Sequence, residues 1–107
     1  MIGHTPGPWR ARRNSHFWEV CPERGGDEGI PFSVADVCSS EPGDPDGGLQ
    51  EANARLIAAA PELLEALEDA MRSARHDFAP GPEGEAKFRE AYAEQVAAIA
   101  KAKGGAA

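Results

Sequence analysis

The stretch Glu51-Ala-Asn-Ala-Arg-Leu-Ile-Ala-Ala-Ala-Pro-Glu-Leu-Leu-Glu-Ala-Leu-Glu-Asp-Ala-Met71 decides the fold. It is rich in strong helix formers and carries one proline near its middle. Leu56, Ile57 and Ala60 fall at i, i+1, i+4, and Leu63, Leu64, Leu67, Ala70 and Met71 continue at i, i+1, i+4, i+7, i+8. That is the stripe of an amphipathic helix facing a core. Pro61 cannot donate a backbone hydrogen bond and clashes with the preceding turn, so it belongs in the first turn of a second helical unit. The reading predicts two helical units with a bend at Ala60-Pro61.

Working backwards along the chain, Ser39 to Gly48 holds almost nothing that can be buried and is dense in turn formers, so it reads as an exposed linker. Asp44 and Asp46 have a faint calcium-loop look, but the bidentate glutamate such a loop needs at its twelfth position is Arg55. Residues 1–38 read as a β-meander. Thr5-Pro-Gly-Pro-Trp9 forbids helix and opens a strand from Trp9 to Arg13. Asn14-Ser15 is a turn, His16 to Cys21 a second strand, and Ile30 to Cys38 a third. Alternation puts Phe17, Glu19 and Cys21 on one face of the second strand and His16, Trp18 and Val20 on the other, without deciding which is inward. Cys21 and Cys38 read as small buried thiols, with pairing across neighbouring strands left open.

Working forwards, Asp77 to Gly84 is a Pro/Gly loop that ends the helix, and Glu85 to Lys103 reads as a final helix with Phe88, Tyr92, Val96 and Ile99 or Ala100 on one stripe. It is expected to lie antiparallel to the Leu63–Met71 helix, with residues 104–107 a frayed tail. The fold class is therefore α+β: an N-terminal three-stranded antiparallel sheet packed on C-terminal helices. The expected layout over 107 residues is one domain, comprising the meander at 1–38, the linker at 39–48 and a helical part at 49–103.

The formal charge of −7 disfavours generic nucleic-acid or anionic-membrane binding. Arg10, Arg12 and Arg13 cluster and offer forked donors to a small anion, or simply occupy a solvated strand face. No apolar run approaches the ~20 residues that span a bilayer, and no leader pattern opens the chain. His4, His16 and His76 lack metal-site spacing, and the glycine pairs 25–26 and 47–48 lack the lysine and hydroxyl of a phosphate loop. Glu62, Glu65, Glu68 and Asp69 sit where a solvated helix face puts them. The expectation is a protein that is not an enzyme and uses no cofactor or metal.

Asn53 and Arg55 are unusual ahead of so apolar a run. Either Asn53 caps the helix or ties it to the sheet while Arg55 lays its stem over apolar surface, or the two point into a cleft against the sheet and bind an anion.

Thr5-Pro-Gly-Pro-Trp9, followed after a β region by Glu51-Ala-Asn-Ala-Arg-Leu-Ile-Ala-Ala-Ala-Pro-Glu-Leu-Leu-Glu-Ala-Leu67, resembles a class of small phage and prophage proteins. The layout, sheet first and helices last, is also similar to the Thoeris anti-defence sponge family. That resemblance implies a homo-oligomer, dimer or higher, which binds a cyclic ADP-ribose-type signal or a cyclic oligonucleotide where subunits meet. It implies sequestration of that signal from an immune effector in the cytoplasm of the infected bacterial host, without cleavage. Such a ligand needs an aromatic platform, arginines and an amide. The candidates are Trp18 or Phe32, Arg55 with Arg72 or Arg75, and Asn53. The competing readings are an acidic phage inhibitor that blocks a host defence protein by direct binding, and a ligand-free accessory oligomer.

Overall fold

A computed structural model of the chain describes residues 3–37 and 48–104. The expected calcium look-alike, the linker at 39–47 and Cys38 with any disulfide fall outside the described residues, as does the tail beyond Gly104. Strands β1 (Trp9–Arg13), β2 (Trp18–Pro22) and β3 (Ala35–Val37) form an antiparallel sheet in the order β1-β2-β3. Trp9 pairs with Pro22 and Arg13 with Trp18, while Trp18 pairs with Val37 and Val20 with Ala35. The first strand has the predicted limits. The second begins two residues late, because Asn14 folds back and its Oδ1 accepts from the backbone N–H groups of His16 and Phe17, each at 2.8 Å. The third is shorter than predicted: Ile30 donates to the Asp27 carbonyl in a turn, and Pro31 has no N–H for a ladder.

Helix α1 (Leu49–Ala58) covers the face that carries Trp18 and Val20, which settles the inward side of the sheet. Its contact stripe is Gln50, Ala54 and Ala58, and Ala54 is completely buried. Val20, Val37, Ala54 and Ala58 form the core, with Trp9, Ala11, Trp18 and Ala35 packed around them. The predicted inward stripe is corrected here: Leu56 is 65% exposed, and Ile57 also faces out. Alanines let the helix backbone come close to a narrow sheet, where a leucine would hold it away. The tie from helix to sheet is Gln50, whose Oε1 accepts from the Trp18 backbone N–H at 3.3 Å, and not Asn53.

The helix is interrupted at Ala59, and α2 (Ala60–Arg75) starts with Pro61 in its first turn, as the sequence predicts. The two sequence stretches Thr5–Trp9 and Glu51–Leu67 meet at this joint. A Cβ on Gly7 would sit 3.0 Å from Pro61 Cβ, closer than ordinary contact, so any side chain there presses on the proline ring. Trp9 secures the other side of that turn, its Nε1–H donating to the carbonyls of Thr5 at 3.1 Å and Pro6 at 3.2 Å.

The chain divides into two compact units, Met1–Glu62 and Leu63–Ala107, with the division inside α2. The second unit is a helical hairpin. Its return arm is two helices, α3 (Pro82–Ala91) and α4 (Ala93–Ala102), and not the single helix predicted from Glu85. It begins earlier because Pro82 suits the first helical position after Gly81. It breaks at Tyr92, whose backbone leaves the helical region while its ring joins Phe78 and Phe88 at centroid distances of 6.3 and 5.4 Å. The antiparallel course holds: Arg75 pairs with Glu85 at 3.1 Å near the turn, and Lys103 with Glu68 at 2.5 Å toward the open end.

Candidate functional site

The sheet's other face is polar and closed. Arg12 Nε donates to Glu19 Oε1 at 2.8 Å over a carboxylate that is itself buried. Cys21 beside it is a free, buried thiol. Burial, reinforced by the Glu19 charge, pushes that thiol's pKa up, which makes it a poor nucleophile. Neither side chain offers a reactive site.

The opening on the α1 side is different. A cleft of about 650 Å³ lies between the start of β1 and the joint of α1 with α2. Pro8, Trp9 and Arg10 line one wall, Trp18 of β2 lies beyond them, and Arg55, Ala58, Ala59 and Glu62 form the helical wall, with Glu23 at the rim strand's end. Each feature follows from local structure. The register that puts Trp9 and Trp18 on the inward side of neighbouring strands also brings both indoles to this wall. Trp9 spends its N–H on the Thr5 and Pro6 carbonyls, so it serves the cleft as a ring surface. Arg55 is oriented by Glu51, one turn earlier, at 2.6 Å. Since a guanidinium carries five N–H donors, that pair leaves Arg55 capacity for an anion. Arg55 is the guanidinium on this side of the sheet, with the carboxylates of Glu23 and Glu62; Arg10 borders the cleft, but its side chain leaves on the other face, where its register partner is Cys21.

Of the residues the sequence nominates, Trp18 and Arg55 come together here. Asn53 does not: it is exposed on another face of α1, in a shallow hollow with Asp36, Val37, Leu56 and Ile57. Phe32 does not either, being 78% exposed with its ring lying over Gly26. Arg72 and Arg75 belong to the second unit and line a cavity of their own. Trp9 and Glu62 are lining residues that the sequence does not nominate: Trp9 reads in the Pro-Gly-Pro-Trp stretch as the start of a strand, and Glu62 as part of a solvated helix face. Of the clustered arginines that the sequence offers to a small anion, Arg10 and Arg12 carry their side chains on the sheet's other face.

Residues 1–106 match the family described as Salmonella phage P22 protein Y8K6. The chain belongs to that family. Neither a curated protein nor a solved structure matches it. Membership makes this a phage protein, and its cleft draws Pro8 and Trp9 from the start of the chain and Arg55, Ala58, Ala59 and Glu62 from the joint of α1 and α2. Among the described residues no group of three or more His, Cys, Asp or Glu is placed to hold a metal ion, and no helix is long and apolar enough to cross a membrane. Two indoles, one guanidinium and carboxylates together can stack on a flat ring, grip an acidic group, and accept hydrogen bonds from amino and hydroxyl edges.

Proposed function

We propose that this phage protein binds and holds, without cleaving it, a small nucleotide signal of the cyclic ADP-ribose or cyclic oligonucleotide type, and so acts as an anti-defence protein in the cytoplasm of the infected host. The observation that carries this reading is the convergence of Trp18 and Arg55 with Trp9 on one open cleft. A base stacks on an indole, the phosphates take Arg55, and Glu62 or Glu23 accepts from an exocyclic amino group or a ribose hydroxyl. At contact distance the Arg55 guanidinium works against the repulsion that a chain of net charge −7 exerts on an anion. Self-association is part of the proposal, since Leu49, Leu56 and Ile57 leave apolar surface on α1 that a second copy covers. Light scattering should then return a mass above that of one chain at micromolar concentration.

A thermal-shift panel of cyclic ADP-ribose isomers and cyclic di- and trinucleotides tests the ligand. The expected result is a Tm that climbs with the logarithm of one ligand's concentration. Trp18→Ala should weaken that ligand about 10- to 100-fold, the worth of one base stack. Because Trp18 also packs on the core, Arg55→Ala is the cleaner variant, with an expected loss of about tenfold. A flat response across the panel ends this reading. A second reading, direct blockade of a host protein with a basic surface, is favoured by the same acidic charge and exposed leucines. It predicts capture of a host protein that weakens steeply with salt, in the absence of any nucleotide response.

A further inference from the structure

The corner where α2 ends and α3 begins holds a cavity of about 470 Å³, lined by Arg72, Arg75, His76, Phe78 and Glu85 and floored by the backbone of Gly81 and Gly84. We infer that it is a separate binding site for a phosphomonoester carried on a flat or apolar body. It lies wholly within the second unit and does not depend on the cleft of the first. Two guanidiniums and an imidazole line it beside one carboxylate, Glu85, while a second carboxylate, Asp69, pairs with Arg72 from outside the lining.

Both guanidiniums are held in place. Arg72 Nη1 pairs with Asp69 at 2.6 Å, and Arg75 Nη2 pairs with Glu85 at 3.1 Å while its carbon lies 4.5 Å from the centre of the Phe88 ring. Each pair uses one edge of a five-donor fork, so both arginines keep donors for phosphate oxygens. The floor is bare for a steric reason: a Cβ on Gly84 would collide with the Ala79 carbonyl, and Gly81 has φ +101°. Phe78, Ala79 and Pro80 give the cavity an apolar side next to its cations, which is why an ester with a ring should fit better than the bare ion.

The test titrates the full chain with inorganic phosphate, phenyl phosphate and, as an uncharged control, benzyl alcohol, at constant ionic strength, following amide and arginine Nε resonances by NMR. Saturable shifts at Gly81, Gly84 and the Arg72 and Arg75 Nε groups are expected, with phenyl phosphate the tighter of the two anions. Arg72→Gln, at a side chain 71% exposed, should keep the wild-type Tm and weaken phenyl phosphate about tenfold, the worth of one charge-assisted hydrogen bond. His76→Gln is a second folded variant with a smaller expected loss. Linear, unsaturating shifts with both anions overturn the proposal. So do equal responses to benzyl alcohol, or an Arg72→Gln affinity equal to wild type in a chain whose Tm is unchanged.

Discussion

The two units of the chain build their interiors in opposite ways. The first closes a three-stranded sheet with a helix whose inward residues are mostly alanines, so its core is a seam of small side chains, Val20, Val37, Ala54 and Ala58. Among its described residues the second has no strand, neither α2 nor α4 holds a buried residue, and the one large fully buried side chain is Phe88. A seam spreads its stabilisation over many modest contacts, whereas a lone anchor concentrates it in one ring. The difference bears on function as well. The seam leaves the bulky indoles of Trp9 and Trp18 at its margin, where they line a cleft, while the second unit uses its aromatic rings to hold itself together.

The largest effect expected from this contrast follows Phe88→Ala, at about 3–5 kcal/mol of destabilisation for a fully buried aromatic. Urea unfolding measures the loss, and amide exchange locates it. Protection should drop across 63–104 and persist in β1 and β2. An equal drop in both units would show that they unfold as one cooperative body and would erase the comparison.

The joint at Gly7 and Pro61 comes next. Gly7→Ala drives a methyl against the proline ring, 3.0 Å from its Cβ, and should cost about 1–3 kcal/mol, the usual range for forced overpacking. Gly3→Ala is the control, since a Cβ there meets nothing within 4 Å and the change should stay within about 0.5 kcal/mol. Equal stability of the two variants would mean that the proline ring yields to the methyl, and that Gly7 is not required for the approach of the two stretches.

Much of this architecture was legible in the residues. The limits of β1, the place of Pro61 in a first helical turn and the antiparallel return of the last helices all follow from local rules with few competitors: φ restriction, missing donors, and a 3.6-residue stripe. What misled was side-chain size. Leu56 and Ile57 looked like the buried face of α1 because they are large and apolar, but the seam against a narrow sheet selects Ala54 and Ala58. The break at Tyr92 had no punctuating residue, since it accompanies ring packing with Phe78 and Phe88 and not any local preference. For the cleft, residue type points to Trp18 and Arg55, whereas Trp9 becomes their partner only through the strand register, which turns the neighbouring Arg10 to the other face. Asn53 is nominated by its residue type, a poor helix former whose amide both donates and accepts, yet two positions on a helix are about 200° apart, so it and Arg55 leave on different faces.

The smallest expected effect is the sharpest test of that reversal. Leu56→Gln places a polar group on a side chain already 65% exposed, so the stability of the isolated chain should move by no more than about 0.5 kcal/mol. Ala54→Leu, two positions earlier, adds bulk where no surface is exposed and should cost about 1–3 kcal/mol by forcing α1 off the sheet. On a hydrophobicity scale the first change removes a favourable residue and the second adds one, so a reading based on apolar size alone predicts the opposite order. Urea midpoints of the two variants measured side by side decide between them. Were Leu56→Gln the more damaging at low protein concentration, α1 would be turned with its leucines against the sheet. A Leu56→Gln loss that emerges only as concentration rises would instead mark Leu56 as a residue covered by a second copy.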